Sequence, residues 1–402
     1  MKIVNYIYKI HCKMIKRYNI NKLRKLSDLY PVVAVLGPRQ VGKTTLVKEF
    51  VKGLEKNTIY LDLEKPSRLE LLEQPERYFL SHQDDCLILD EIQNRPEIFP
   101  VMRAMIDQHR IPQRFIILGS GSPKLLRQSS ESLAGRIAYL ELTPFNLLEV
   151  ESNSLDLIER HHFLGGFPLA WTAATTEESL LWLDFFIESY ITRDLRLLGL
   201  NVSTPVLRRF WEMIAWQNGG LVNLSSIGKS LGLTHPTISQ YIDFFEQAYL
   251  MRRLYPYSFN VKKRIVKTPK IYLTDSGVLH RLLRISDYDQ LLGFPGAGLS
   301  WECYVINQIC SLKSTDLDIY FYRTHNGAET DLLFTRGLTP MSCVEIKFSD
   351  IPRIPKGFEV CIEDLKTKIN FIISPSSEDY LVKQNIRICS ITTFLEKYLN
   401  DL

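Results

Sequence analysis

Between Leu23 and about Glu149, short apolar runs alternate with stretches of helical spacing. The runs Val32–Leu36, Thr58–Leu61, Cys86–Leu89, Arg114–Leu118 and Ile137–Leu142 have the length of buried strands. Strands that alternate with helical patterns predict an α/β domain on a parallel sheet. From Leu155 to Leu254 the pattern turns helical, with a wide apolar stripe at Leu180, Leu181, Leu183, Phe185, Phe186 and Tyr190. From Lys270 onward strands and helices mix again, and no internal repeat runs through the chain. These changes predict a basic head over 1–22, an α/β domain over 23–154, a helical domain over 155–260 and a second α/β domain over 261–402.

At 402 residues the chain exceeds one core, and 45% hydrophobic with 23% charged residues excludes a largely disordered protein. No apolar run reaches the length of a membrane-spanning helix, so no membrane insertion is expected. Lys2, Lys9, Lys13 and Lys16 break every apolar core that a signal peptide would need. The absence of acid before Asp28 suits a transit peptide, but the near absence of Ser does not; Met14 is a second candidate start. Seven cysteines form no CxxC pair and eight histidines no zinc pattern, which predicts a reducing, cytoplasmic compartment. The net charge of +4 is concentrated in residues 1–27, which hold six Lys and two Arg without an acid. Such a head touches nucleic acid or is a solvated basic helix; the second is the simpler reading.

The segment Gly37-Pro38-Arg39-Gln40-Val41-Gly42-Lys43-Thr44-Thr45 fits the P-loop pattern GxxxxGK[ST] between an apolar strand and a helical pattern. Backbone N–H groups freed by the glycines can cradle a β-phosphate, Lys43 can reach the β- and γ-phosphates, and Thr44 can ligate Mg²⁺. Leu87-Ile88-Leu89-Asp90-Glu91 is a strand ending in two carboxylates, the Walker B arrangement. Asp90 would hold the Mg²⁺ shell and Glu91 would act as general base. A further strand ends in Gly119-Ser120-Gly121-Ser122, where the Ser120 hydroxyl could sense the γ-phosphate. Arg136, in Ser132-Leu-Ala-Gly-Arg136, could neutralise charge on that phosphate, in cis or across a subunit interface, or be a surface ion-pair partner.

These motifs, with Gly165-Gly166-Phe167-Pro168 and Tyr190-Ile-Thr-Arg193-Asp194, resemble the AAA-like ATPases that carry a C-terminal DUF4143 domain. The resemblance covers about residues 14–402 and implies an ATPase fold and ATP binding. Leu118 departs from it, standing where relatives have Thr before the Gly-Ser.

In the helical stretch, Leu224–Leu231, Gly232 and Thr234–Ile242 read as helix–turn–helix, with Phe244 to Tyr257 completing the helix and a small wing. His235, Thr237, Ser239 and Gln240 would lie on the exposed face. No Lys or Arg falls between Thr234 and Met251, and the nearest basic residues are Arg252-Arg253 and Lys262-Lys263-Arg264. The module therefore either contacts DNA or is a structural winged helix.

Near the C-terminus, Glu302 sits in a helical pattern, Asp331 enters an apolar strand, and Glu345 and Lys347 alternate on another strand and so share a face. The order E…D…ExK matches the PD-(D/E)XK nuclease arrangement. Glu302, Asp331 and Glu345 would hold a second Mg²⁺ or Mn²⁺, and Lys347 would orient or activate water.

Two readings result. In the first, ATP state controls a DNA-binding or DNA-cleaving nuclease-like domain. In the second, the protein is a nucleotide-dependent switch or scaffold for protein partners or for further copies of itself, with a nuclease fold that no longer cuts. A phosphotransferase is disfavoured, since no acceptor-binding insertion follows the P-loop.

Overall fold

The apolar run Val32–Leu36 forms β1 and is buried along its whole length because both faces of its sheet are covered. Val33 and Val35 face one core, with Leu46, Val47 and Phe50 of α1 (Lys43–Val51). Val32, Ala34 and Leu36 face the other, with Phe99, Met102 and Met105 of α2 (Ile98–Gln108). Period-two alternation thus divides one strand between two cores. With β2 (Thr58–Asp62), β3 (Cys86–Asp90), β4 (Phe115–Gly119) and β5 (Ile137–Glu141) it makes an all-parallel sheet ordered β2-β3-β4-β1-β5. The five strands fall within one residue of the runs read from the apolar pattern.

The computed structural model describes residues 15–121, 133–150, 154–200, 202–258 and 266–402. Residues 1–14, Ser122, Ser132 and the Lys262-Lys263-Arg264 cluster lie outside the described residues. Two compact units emerge: one holds 15–145 with 247–249, the other 146–246 with 250–402. The helical stretch and the second sheet therefore fall in one unit. Among the described residues no helix is long and apolar enough to cross a membrane.

In the second unit, α3 (Leu155–Leu164) precedes three helices, α4 (Thr204–Trp216), α5 (Leu224–Leu231) and α6 (His235–Gln247). An antiparallel pair follows, β6 (Met251–Leu254) and β7 (Lys270–Leu273). Helix α7 (Ser276–Leu282) docks on the end of α3. A Cβ at Gly277 would meet the Leu164 carbonyl oxygen at 2.1 Å, and one at Gly165 (φ 72°) the Asp275 carboxylate at 2.2 Å. The glycine signature is thus a helix-docking device.

Helix α8 (Ala297–Leu312) is buried on nearly every side, which suits its mostly apolar sequence. Strands β8 (Asp318–Arg323), β9 (Glu329–Arg336) and β10 (Thr339–Ile346) form an antiparallel meander. Helix α9 (Lys356–Leu365) crosses to β11 (Asn370–Ser374), parallel to β10. The edge is completed by β12 (Tyr380–Lys383) and β13 (Ile386–Ser390), giving the order β12-β13-β11-β10-β9-β8. The α9 residues Phe358, Cys361, Ile362 and Leu365 cover Leu333, Cys343, Ile372 and Ile388 of this sheet.

Candidate functional site

Because the first sheet is parallel, the turns after β1, β3 and β4 open on one edge. The turn after β1 is the glycine loop. A Cβ at Gly37 would meet the Leu142 carbonyl oxygen at 2.2 Å, so only glycine lets the loop leave the strand here. Gly42 caps α1 in a left-handed conformation, and Gln40 is exposed with φ 62°. Lys43 is buried, its ammonium held by the carbonyls of Gly37 (3.0 Å) and Pro38 (2.9 Å) and 3.5 Å from Ser120 Oγ. Arg39 pairs with Glu64 at 3.0 Å, and Thr45 is exposed on the first helical turn.

The end of β3 meets this loop. Thr44 Oγ1 donates to Asp90 Oδ2 at 2.8 Å, and the Tyr60 hydroxyl donates to the same oxygen. Burial, and then Asp90, push the Tyr60 phenol up, so it remains a donor. Two hard oxygens at this spacing, one hydroxyl and one carboxylate, suit Mg²⁺. Glu91 takes a left-handed conformation (φ 56°), and its carboxylate accepts from Ser120 Oγ (3.2 and 3.3 Å) and from Gln93 Nε2. Lys43, Thr44, Asp90, Glu91 and Ser120 are therefore gathered on one edge. Arg136 is not. It precedes β5 at the opposite edge, where Ile137 pairs with Val32, and binds Asp107 at 2.6 Å. Within the chain this placement excludes the cis role on the phosphate.

Tyr60, Gln93 and Arg17 escaped the sequence reading. Arg17, grouped there with a solvated basic head, is buried: it donates to the carbonyls of Val41 (2.9 Å) and Thr143 (2.5 Å) and stacks on Phe145. It bolts the P-loop to the segment that follows β5. Arg17→Ala leaves two carbonyls unpaired, at about 1–3 kcal/mol each. It should lower the melting temperature and weaken ATP binding together, as read by melting curves with and without nucleotide.

In the second unit the carboxylates of the E…D…ExK order also come together, but around lysines. Lys270 Nζ lies 3.1 Å from Glu302 Oε1, 2.7 Å from Glu329 Oε1 and 3.9 Å from Asp331 Oδ1. Tyr272, two residues along β7 on the same face, donates to Glu302 Oε1. Asp331 Oδ2 accepts from Ile346 N at 2.8 Å, and Lys347 Nζ binds Glu345 Oε1 at 2.6 Å. Glu345 Oε2 is buried without a hydrogen bond. Burial, and then repulsion from Asp331, push Glu302 and Glu345 above the usual carboxylate range; burial also raises Asp331. Burial disfavours the charged form of Lys270, but Glu302, Asp331 and Glu329 together keep its ammonium charged.

The expected ligands of a second divalent ion are arranged around other partners. Among the described residues no group of three His, Cys, Asp or Glu is arranged to hold a metal, and a buried ammonium sits among the expected ligands. The residues as arranged do not fit such an ion. Lys270 and Tyr272 left one trace in the sequence, alternation on a strand, without any sign of what they face.

On α6, His235 and Gln240 are exposed, and Thr234 Oγ1 lies 2.8 Å from Thr237 Oγ1. Arg253, counted as a basic residue near this helix, is spent on Asp243 (2.8 Å) and Glu246 (2.9 Å) of α6 itself.

Three families match consecutive parts of the chain: an AAA domain over residues 29–151, a domain of unknown function (DUF8612) over 155–289 and another (DUF4143) over 297–394. Uncharacterized proteins of Mycobacterium tuberculosis (Rv2008c) and Mycobacterium bovis (Mb2031c) are each 35% identical over 94% of this chain and 84% of their own. The chain belongs to the family of AAA-like ATPases with a C-terminal DUF4143 domain. Among solved structures, the Walker-type ATPase PABY2304 of Pyrococcus abyssi is similar at 16% identity and a TM-score of 0.46, over 68% of this chain and 96% of that one. The P-loop unit is the part of the chain that the AAA domain family matches.

Proposed function

We propose that the protein is an ATP-driven switch whose second unit is a nuclease-like fold that does not cut. The observation that carries the ATPase reading is the convergence of Lys43, Thr44, Asp90, Glu91 and Ser120 on one sheet edge. Lys43 would exchange the Gly37 and Pro38 carbonyls for phosphate oxygens, and Thr44 with Asp90 would hold Mg²⁺. That ion, when bound, neutralises phosphate charge. A Glu91 carboxylate oxygen accepts the proton of the attacking water, while Ser120 and Gln93 fix the side chain's direction.

The helix–meander–helix–strand order from α8 to β11, with Glu302, Asp331, Glu345 and Lys347 upon it, supports kinship with the PD-(D/E)XK nucleases. Lys270 among the acids favours a fold that has given up cleavage. The three helices α4–α6 followed by the β6–β7 pair support a winged helix. The ion pairing of Arg253 within it favours an internal role over a groove-binding one. Purified protein with labelled single- and double-stranded DNA, Mg²⁺ or Mn²⁺, and with or without ATP, tests both parts. Phosphate release with intact DNA is expected. DNA cut by wild type and not by Lys347→Ala would restore the nuclease reading.

A further inference from the structure

The acidic cluster of the second unit holds four carboxylates, from Glu302, Glu329, Asp331 and Glu345, within reach of Lys270, Lys347 and Arg323. Charge is thus nearly balanced by side chains alone. The most buried of the three cations is Lys270, at 5% exposure.

Its position is set by backbone on two sides. Lys270 pairs with Leu254 across the β6–β7 ladder and bridges to Leu221, and its neighbours exchange further bonds with the segment before α5: Ile271 N to Gly220 O (3.2 Å) and Val222 N to Pro269 O (3.1 Å). The backbone that carries the ammonium is thus pinned on both sides of the strand. It also stands 5.5 Å from the Phe321 ring centroid, a favourable neighbour for a cation.

One oxygen of each expected ligand is already engaged. Glu302 Oε1 accepts from both Lys270 and Tyr272, Asp331 Oδ2 from Ile346 N, and Glu345 Oε1 from Lys347. A divalent ion asks for about six oxygens in a shell of its own. Entering here, it would also stand beside a fixed positive charge on the same carboxylates, where like charges repel strongly in a buried site. Glu345 Oε2 stays buried and without a hydrogen bond.

We propose that Lys270 is a tethered replacement for the divalent cation of this acidic site, so that the second unit holds its carboxylates together without Mg²⁺ or Mn²⁺. A strand of the β6–β7 pair thereby supplies, as part of the fold, the charge that a nuclease would draw from solution. This deepens the non-cutting reading and rests on it only in part: DNA cleavage by another route would sink that reading and leave the metal result standing.

The experiment is Mn²⁺ titration of the nucleotide-free full-length protein, with free Mn²⁺ read by electron paramagnetic resonance. Wild type and Glu345→Gln should give superimposable curves. Lys270→Met should gain one Mn²⁺ per chain, which Lys270→Met/Glu345→Gln loses again. Its melting temperature should rise with Mn²⁺, while that of wild type should not respond through Glu345. A site in wild type that vanishes in Glu345→Gln overturns the proposal, and that comparison does not require Lys270→Met to fold. A folded Lys270→Met that gains no Mn²⁺ overturns it as well.

Discussion

Glu91→Gln is expected to bind ATP as wild type does and to hydrolyse it about 100-fold more slowly or worse, the usual worth of a positioned general base. The change is nearly isosteric and leaves the Lys43, Thr44 and Asp90 contacts in place. Its amide oxygen can still accept from Ser120, so the loss falls on proton transfer rather than on the shape of the site. Lys43→Ala should do the opposite and fail at binding. The variant lacks the ammonium that reaches the phosphates, and it exposes the Gly37 and Pro38 carbonyls that the ammonium now covers. Charged hydrogen bonds of this kind are worth about 1.5–3 kcal/mol, or roughly 10- to 100-fold in affinity. Calorimetric ATP binding and a phosphate-release assay separate the two variants. Equal turnover by wild type and Glu91→Gln would remove Glu91 from the role of base.

How much of this was legible beforehand depended on distance along the chain. Strands β1, β3 and β4 are buried on both faces, so each had to be an unbroken apolar run, and each stood out. The phosphate loop was equally plain, because its chemistry lies in nine consecutive residues. The acids of the second unit could be named because two of them sit on strands whose period fixes their faces. What faced them could not. Lys270 lies 32 residues before Glu302, on a strand of a different sheet, and only the fold brings them to 3.1 Å. The alternatives for Arg136 stayed open for a related reason: the pattern located its strand without saying which end of the sheet the residue occupies. Arg17 looked like one basic residue among eight in the head, whereas its contacts are carbonyls 24 and 126 residues away. A pattern along the chain reports burial and direction, and partners across the fold leave almost no trace in it.

The same limit hid a buried proton chain, and with it the clearest pH effect expected of this protein. His280 Nδ1 lies 2.8 Å from the Phe163 carbonyl, which can only accept, so this nitrogen carries the proton. His280 Nε2 then accepts from Ser300 Oγ (2.6 Å), and Ser300 Oγ accepts from His162 Nε2 (2.9 Å). Burial pushes His280 down to about 4, from 6.5 in the unfolded chain. The unfolded chain therefore binds the extra proton first. His280 stabilises the fold fully above pH 6.5, and about 3 kcal/mol is lost as pH falls through 4. Asp275, which caps the same helix α7 and accepts from Gly166 N at 2.8 Å, behaves in the reverse sense. Burial raises its carboxyl from 3.8 to about 6, against the backbone N–H groups of Gly166, Val278 and Gly277. Its contribution is full below pH 3.8, and about 3 kcal/mol is lost as pH rises through 6. Between pH 4 and 6 the two slopes oppose each other and nearly cancel. Asp275→Asn removes one of them and keeps an acceptor oxygen for the capping bonds. The variant should therefore lose about 3 kcal/mol more than wild type between pH 6.5 and 4, as urea unfolding at a series of pH values would measure. Burial also pushes His162 down, but it acts alike in both proteins and drops out of the difference. Parallel pH profiles for wild type and Asp275→Asn would show that Asp275 is already ionised in the native fold across this range.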